Sequence, residues 1–281
     1  MDPRFDRAAE DVGNIVKLEH VNVTVPDQQL ATIFYVTGLG LTRDPYIMTG
    51  VDNMWINVGE SQFHLPTGRP QVLRGTIGLV LPDLAALASR LRGVEPALEG
   101  TAFRYALRDD RVEVSCPWGN RIRCHAASPD LFGERTLGMA YVELDVPEGT
   151  ASHIAAFYRD VLGAPARVED RIAVVTAGPR QSLRFRETRE PVAAYDGHHV
   201  QIYVADFSGP HRRLLERGLV SRETDQHEYR FIRIVDDRGA TQFELEHEVR
   251  SLRHPLCGRP LVNRNPAQSN RGYLPGRDAW W

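Results

Sequence analysis

The chain has 281 residues, of which 42% are hydrophobic and 25% are charged, and its formal net charge is -3 at pH 7. This composition is that of an ordinary globular protein with enough apolar residues for one large or two medium cores. Because the charge provides no basic field that would attract a phosphate backbone, we do not expect nucleic acid as a partner.

Membrane insertion and disulfide bonding are not expected either. No apolar run approaches the roughly 20 residues that a membrane helix needs, and the N-terminal MDPRFDRAAEDVGN does not read as a signal peptide. The three cysteines, Cys116, Cys124 and Cys257, are an odd number without CxxC spacing. We therefore expect a cytoplasmic protein in a reducing compartment. Its oligomeric state is left open, and a homo-oligomer is compatible with the sequence.

In chain order, four segments begin with an alternating strand that reaches an acidic residue seven positions on. These opening strands are HVNVTVPD from His20, TIGLVLPD from Thr76, YVELDVPE from Tyr141 and HVQIYVAD from His199. In the first, period-2 alternation places Val21 and Val23 on one face and His20 on the other.

Each opening strand is followed by a helical pattern that ends near a glycine, the usual residue after a helix C-terminus. The four patterns are LATIFYVTGLG, LAALASRLRG, HIAAFYRDVLG and HRRLLERG. Three shorter strands then follow in each repeat, such as MWINVG and SQFHLP in the first. The plan is βαβββ repeated four times, over about 17–66, 73–126, 136–188 and 196–249.

Similarities between alternate repeats indicate a duplicated two-repeat domain, and the fourfold βαβββ plan is that of an α+β fold. Repeats 1 and 3 share FYVTGLG and FYRDVLG, whereas repeats 2 and 4 share a turn before the last strand. We divide the chain into an N-terminal extension (1–16), two domains (17–130 and 136–250) and a polar tail (251–281). The tail lacks periodicity and is expected to wrap the surface, with Trp280 and Trp281 either docked on the body or frayed.

These motifs resemble the vicinal oxygen chelate superfamily, which includes glyoxalase I, type I extradiol dioxygenases and the fosfomycin and bleomycin resistance proteins. The resemblance covers about residues 17–249. It implies four βαβββ units that form two curved mixed sheets, with a divalent metal in the cup of a sheet. It implies no single activity, because the superfamily hosts isomerases, dioxygenases, epimerases and binding proteins.

In that superfamily one metal ligand lies in the opening strand of a repeat and another in the closing strand. The matching positions are His20 and His64, Thr76 and Arg123, Tyr141 and Arg184, and His199 and Glu244, in repeats 1 to 4. Arginine offers no lone pair to a metal and threonine is a poor ligand, so repeats 2 and 3 are not expected to bind one. If consecutive repeats paired, each cup would hold half a site. If repeat 1 pairs with repeat 4, one cup holds all four ligand-type residues.

The resemblance implies metal ligation by His20, His199 and Glu244, with His64 as a catalytic proton-transferring residue or as a fourth ligand. Glu244 lies five residues after Gly239, where the family pattern has four. That register predicts Phe243 pointing towards the cup, and a one-residue β-bulge would turn Glu244 to the metal side.

His227 is a second catalytic candidate. It lies in QHEYRFIRIVDDRG, which partly resembles the extradiol signature, with Asp237 in place of the signature proline. We assign it as a proton donor or hydrogen-bonding group behind the ligands.

Two imidazoles and one carboxylate suit Fe(II) first, then Mn, with Ni and Zn also compatible. The expected function is a metal-dependent oxygenase of the extradiol ring-cleaving type, acting with O2 on a small catechol-like diol in the catabolism of aromatic compounds. Two alternatives stay open at this point. One is a glyoxalase-like isomerase or lyase that uses Ni or Zn, and the other is a metal-free protein that binds a small molecule, like the resistance proteins.

Overall fold

The structure, a computed structural model, describes residues 7–47, 50–264 and 279–280. All four repeats follow the βαβββ plan. Repeat 1 contains β1 (Ile15–Asn22), α1 (Gln28–Ala31), β2 (Thr42–Arg43), β3 (Asn53–Val58) and β4 (Ser61–Pro66). Repeat 2 contains β5 (Gly75–Val80), α2 (Leu84–Val94), β6 (Arg104–Leu107), β7 (Arg111–Ser115) and β8 (Arg121–His125).

A short helix, α3 (Pro129–Phe132), leads to the second half of the chain. Repeat 3 contains β9 (Gly138–Pro147), α4 (Ala151–Phe157), β10 (Ala166–Glu169), β11 (Ile172–Thr176) and β12 (Ser182–Thr188). Repeat 4 contains β13 (His199–Val204), α5 (Ser208–Glu216), β14 (Val220–Asp225), β15 (Glu228–Val235) and β16 (Thr241–Ser251). The tail adds β17 (Asn263–Arg264) and β18 (Ala279–Trp280), which pair with each other.

In repeats 1, 2 and 4 the acidic residue that follows the opening strand caps the first turn of the helix. The carboxylates of Asp27, Asp83 and Asp206 each accept a hydrogen bond, at 2.8–3.0 Å, from the backbone amide three positions on. A side-chain acceptor at this position satisfies an amide that has no partner within the helix. The recurring acid is thus explained by local capping in repeats 1, 2 and 4.

Repeats 1 and 3 also end their helices alike. After α1 the chain continues as a π-helix over Thr32–Gly38, and after α4 as a π-helix over Tyr158–Leu162. Both segments fall on the motif that these two repeats share in the sequence. The remaining short helical turns are 3₁₀ segments at Arg7–Glu10 and Glu95–Leu98.

The strands form two eight-stranded mixed sheets, which confirms the α+β class. Their orders are β14-β15-β16-β13-β1-β4-β3-β2 and β10-β11-β12-β9-β5-β8-β7-β6. The opening strands of repeats 1 and 4 are neighbours, and so are those of repeats 2 and 3. Of the two arrangements left open by the sequence, the strand order is therefore the one in which repeat 1 pairs with repeat 4.

The chain folds into two compact units. Unit 1 comprises the described residues of 7–18, Asp145–Val192 and Gln201–Cys257. Its core is aromatic, with Tyr158, Phe185 and Phe231 fully buried. The Tyr158 hydroxyl lies 2.6 Å from Nε2 of His247, whose ring stacks on Phe231 with centroids 4.3 Å apart. His247 is therefore a satisfied core residue.

Unit 2 comprises the described residues of Glu19–Leu144, Ala193–Val200 and 258–281. The tail joins this unit from Gly258 onwards. The Asn263 side chain donates to the carbonyl of Gly59 at 2.8 Å and accepts from its amide at 3.0 Å, and Arg259 forms an ion pair with Asp44 at 2.8 Å. Residues 265–278 and Trp281, included in the predicted surface wrapping, lie outside the described residues.

The three cysteines are free thiols, and Cys116 and Cys124 are fully buried. Burial raises the pKa of the Cys124 thiol to about 12, which keeps it protonated at neutral pH. Within the described part of the chain, no helix has the length and apolar character needed to cross a membrane.

Candidate metal centre

Three histidines from three strands come together in unit 2. His20 lies on β1, His64 on β4 and His199 at the start of β13, and one potential ligand nitrogen from each lies within 4.8 Å of the other two. The His20 ring centroid is 5.8 Å from that of His64 and 5.7 Å from that of His199. His20 is 0% exposed, His199 is 8% exposed and His64 is half-buried.

Strand register explains why His20 and His64 share a face. In the parallel pair β1 and β4, His20 is opposite Gln62 and Asn22 is opposite His64. Because side chains alternate between the two faces of a strand, His20 and Asn22 lie on the same face of β1. His64, which is opposite Asn22, lies on that face too, diagonally from His20. The parallel return of the closing strand therefore brings the two imidazoles together.

A carboxylate selects the tautomer of the neutral His20 ring. Its Nδ1 lies 2.6 Å from Oε2 of Glu19. A carboxylate accepts hydrogen bonds, so Nδ1 carries the proton and the lone pair is left on Nε2. That Nε2 is buried and has no hydrogen-bond partner among the described residues. A buried nitrogen lone pair without a hydrogen-bond partner costs free energy, and a divalent metal is the partner that suits this nitrogen.

His64 is held by two residues of β3. Its Nε2 lies 2.8 Å from Oδ1 of Asn53, and its ring stacks on Trp55 with centroids 3.8 Å apart and planes 12° from parallel. Trp55 is directly opposite His64 in the β3–β4 hairpin. The amide oxygen accepts from Nε2, so the lone pair of this imidazole lies on Nδ1.

Comparisons with known proteins agree with this architecture. No family model matches the chain, and no curated protein matches it. One solved structure, of a candidate dioxygenase from Bacillus subtilis, is 16% identical in sequence to this chain. The match covers 88% of this chain and 91% of the other, with a TM-score of 0.58. Glyoxalase I from Zea mays is 15% identical over 84% of this chain and 92% of that one, with a TM-score of 0.55. The chain has the vicinal oxygen chelate fold. At these identities the likeness shows the fold alone.

Within this vicinal oxygen chelate fold, Glu244 lies on β16 of unit 1. Ile234 is opposite Phe243 and Val235 is opposite Thr241, so Gln242 is the extra residue of a one-residue bulge. Phe243 is buried, its ring 6.0 Å from that of Phe185, and the exposed Glu244 projects to the opposite face of the strand. The bulge required by the sequence interpretation is therefore present, while the ligand role of Glu244 stays a prediction.

His227 lies in unit 1, in the turn between β14 and β15, and is partly exposed. Its amide donates to Oδ1 of Asp225 at 2.6 Å, and its Nε2 lies 2.9 Å from the side-chain nitrogen of Gln226. These local hydrogen bonds account for its place in the hairpin turn. Its catalytic role stays a prediction.

Two residues of the centre were missed by sequence reasoning. Strand alternation assigns Glu19 to the face opposite its neighbour His20, so only the folded side-chain conformation shows their hydrogen bond. Asn53 could have been found, because the β3–β4 hairpin places it near His64. Trp55 is 7% exposed and stacked on His64.

Proposed function

We propose that the chain is a metal-dependent oxygenase of the extradiol type, with Fe(II) held at His20 and His199 and a small catechol-like diol as substrate. The observation that carries the metal assignment is the three-histidine cluster, in which Nε2 of His20 is buried and has no hydrogen-bond partner among the described residues. Imidazole nitrogen suits iron, and Mn, Ni and Zn are the alternatives. The fold that the chain shares with a candidate dioxygenase is compatible with the oxygenase class, as it is with the glyoxalase class.

Each histidine has a separate task in this proposal. His20 and His199 are the more deeply buried pair and hold the ion in a dry environment. Glu19 orients the His20 ring, and Asn53 with Trp55 orients His64. When bound, Fe(II) supplies the redox chemistry with O2 and Lewis acidity towards the diol oxygens.

His64 is half-buried, and it is the member of the cluster with the greatest exposure. Because imidazole exchanges protons near neutral pH, His64 can take up the proton that the diol releases at Nδ1. Trp55 limits rotation of the ring, so that nitrogen keeps its position.

One observation favours a second function. His64 belongs to the same cluster of potential ligand atoms as the other two histidines. If His64 is a ligand, the site resembles the one expected for a glyoxalase-like isomerase or lyase using Ni or Zn. Such an enzyme consumes no O2, so oxygen uptake separates the two functions.

The test is elemental analysis of protein purified anaerobically, followed by oxygen-electrode assays over a panel of catechols. We expect about one iron per chain and O2 uptake with at least one diol, and we expect His199→Ala to lose the metal. His153→Ala removes an exposed histidine of α4 and should keep it. Zn or Ni without O2 uptake would favour the isomerase or lyase. Unchanged metal content in His199→Ala would refute both enzyme assignments at this centre, and the absence of metal from both proteins would favour the metal-free binding protein.

A further inference from the structure

Repeat 2 carries a pocket on the face that corresponds to the metal-binding face of repeat 1. The cavity has a volume of about 430 Å³, and it lies entirely within unit 2. Thr76 and Arg123, which line it, are the sequence counterparts of His20 and His64. The volume falls within the roughly 300–1,000 Å³ of small-molecule sites.

The charge of this pocket is opposite to that of a cation site. Four arginines line it, against one glutamate. They are Arg104, Arg108, Arg121 and Arg123, and the glutamate is Glu113. The lining residues therefore carry a net charge of three positive, counted as four guanidinium groups less one carboxylate.

Existing ion pairs use only part of this charge. Glu113 accepts from Arg108 at 3.2 Å and from Arg111 at 2.9 Å, and Arg123 contacts Glu143 at 3.2 Å. The side chain of Arg104 forms no hydrogen bond or ion pair with any residue in the described part of the chain. Its guanidinium group is therefore available to a ligand.

The strand register also places hydroxyl groups between the arginines. Thr76 is opposite Arg121 in the β5–β8 pair. Ser115 is opposite Arg121 in the β7–β8 pair and opposite Arg104 in the β6–β7 pair. Thr76 is 6% exposed and Ser115 is 5% exposed, and neither hydroxyl bonds to another described residue. Across these strands, the guanidinium groups of the arginines thus alternate with the hydroxyl groups of Thr76 and Ser115. Both kinds of group donate hydrogen bonds, which suits the oxygens of a carboxylate or a phosphate.

We propose that this pocket binds a small organic anion through a carboxylate or phosphate group. Arg104 and Arg121 contact the anionic group together with the Ser115 hydroxyl, and the half-buried Tyr105 packs against the body of the ligand. In this view, repeat 2 exchanged the metal-ligating side chains of the fold for a site of the opposite charge preference.

The probes are phthalate, benzoate and benzamide, titrated calorimetrically into the full-length protein. Phthalate should bind more tightly than benzoate, and the uncharged benzamide should not bind. Raising the salt concentration should weaken phthalate binding, since the attraction is electrostatic. A separate titration with inorganic phosphate shows whether a phosphate or a carboxylate is preferred. Equal binding of benzamide and benzoate would overturn the proposal.

Arg104→Gln should weaken phthalate binding about tenfold, equivalent to about 1.4 kcal/mol. Arg104→Lys should recover part of it, because the charge stays but the fork geometry is lost. Arg92→Gln, an exposed arginine of α2, is the matched control and should have no effect. Unchanged binding in Arg104→Gln would refute the inference.

A chelator separates this pocket from the histidine cluster. Phthalate binding should persist when the protein's metal is removed, because none of the lining residues belongs to that cluster. Binding that disappears with the metal would assign the anion to the histidine cluster and overturn the proposal. Neither outcome depends on whether the chain consumes O2.

Discussion

Replacing Glu19 with glutamine is expected to weaken metal binding while leaving the fold intact. The carboxylate accepts a 2.6 Å hydrogen bond from Nδ1 of His20, and the side chains are only 9% and 0% exposed, respectively. Glutamine keeps an acceptor oxygen of the same reach but removes the negative charge that makes the imidazole a stronger donor to the metal. Loss of such a carboxylate partner typically lowers metal affinity about 10- to 100-fold, or about 1.4–2.7 kcal/mol.

The assay is competition for Fe(II) or Zn(II) against a chromophoric chelator, with wild-type protein and Glu19→Gln measured side by side. A second readout is the metal-induced rise in melting temperature, which should be smaller in the variant because stabilisation follows ligand affinity. Glu99→Gln, an exposed glutamate of the same unit, is the matched control. Equal metal affinity in wild type and a folded Glu19→Gln would refute the inference that Glu19 prepares His20 as a ligand.

The remaining predictions concern stability. Arg259→Met leaves Asp44 buried without its cation, so the free energy of unfolding should fall by about 3–5 kcal/mol in denaturant titrations. Burial acts to raise the pKa of Asp44, but hydrogen bonds from Arg259 and backbone amides outweigh it and lower this pKa below its ordinary value of 3.8. The contribution of Asp44 to stability should therefore be complete at neutral pH and lost as the pH falls below 3.8, and a flat acid profile would contradict this. Gly75→Ala should destabilise by about 1–3 kcal/mol, because its Cβ would lie 1.9 Å from the backbone oxygen of Glu143. Gly93→Ala in α2 has open space and should instead stabilise by about 0.5–1 kcal/mol, so equal effects in thermal melts would refute this account of the two glycines.

Local sequence patterns were sufficient to predict the strands and helices of the four repeats and their order along the chain. Alternating residues predicted the opening strands, and in repeats 1, 2 and 4 the acid after the strand marked where the helix begins. Asp27, Asp83 and Asp206 show why this works, since each caps a helix through an amide three positions away. A signal that acts over three residues can be read directly from the sequence.

The candidate metal centre could be predicted only in part from such local patterns. Recurrence of a histidine at two opening strands identified His20 and His199, and the closing strand of repeat 1 identified His64. Their convergence was conditional on which repeats pair. The hydrogen bond from His20 to Glu19 contradicts the simple alternation of faces, so no periodic pattern could have found it.

The sequence by itself determined the fourfold βαβββ plan, the starts of the helices and the types of residue at the ligand positions. Tertiary structure alone decided that β13 lies beside β1 and that β9 lies beside β5. The physical reason is that strand pairing is made by backbone hydrogen bonds, which every residue except proline can donate, so side-chain patterns do not specify a distant partner. The place of β13 beside β1 added His199 to the imidazoles of β1 and β4, and strand pairing within repeat 2 set arginines and hydroxyls side by side.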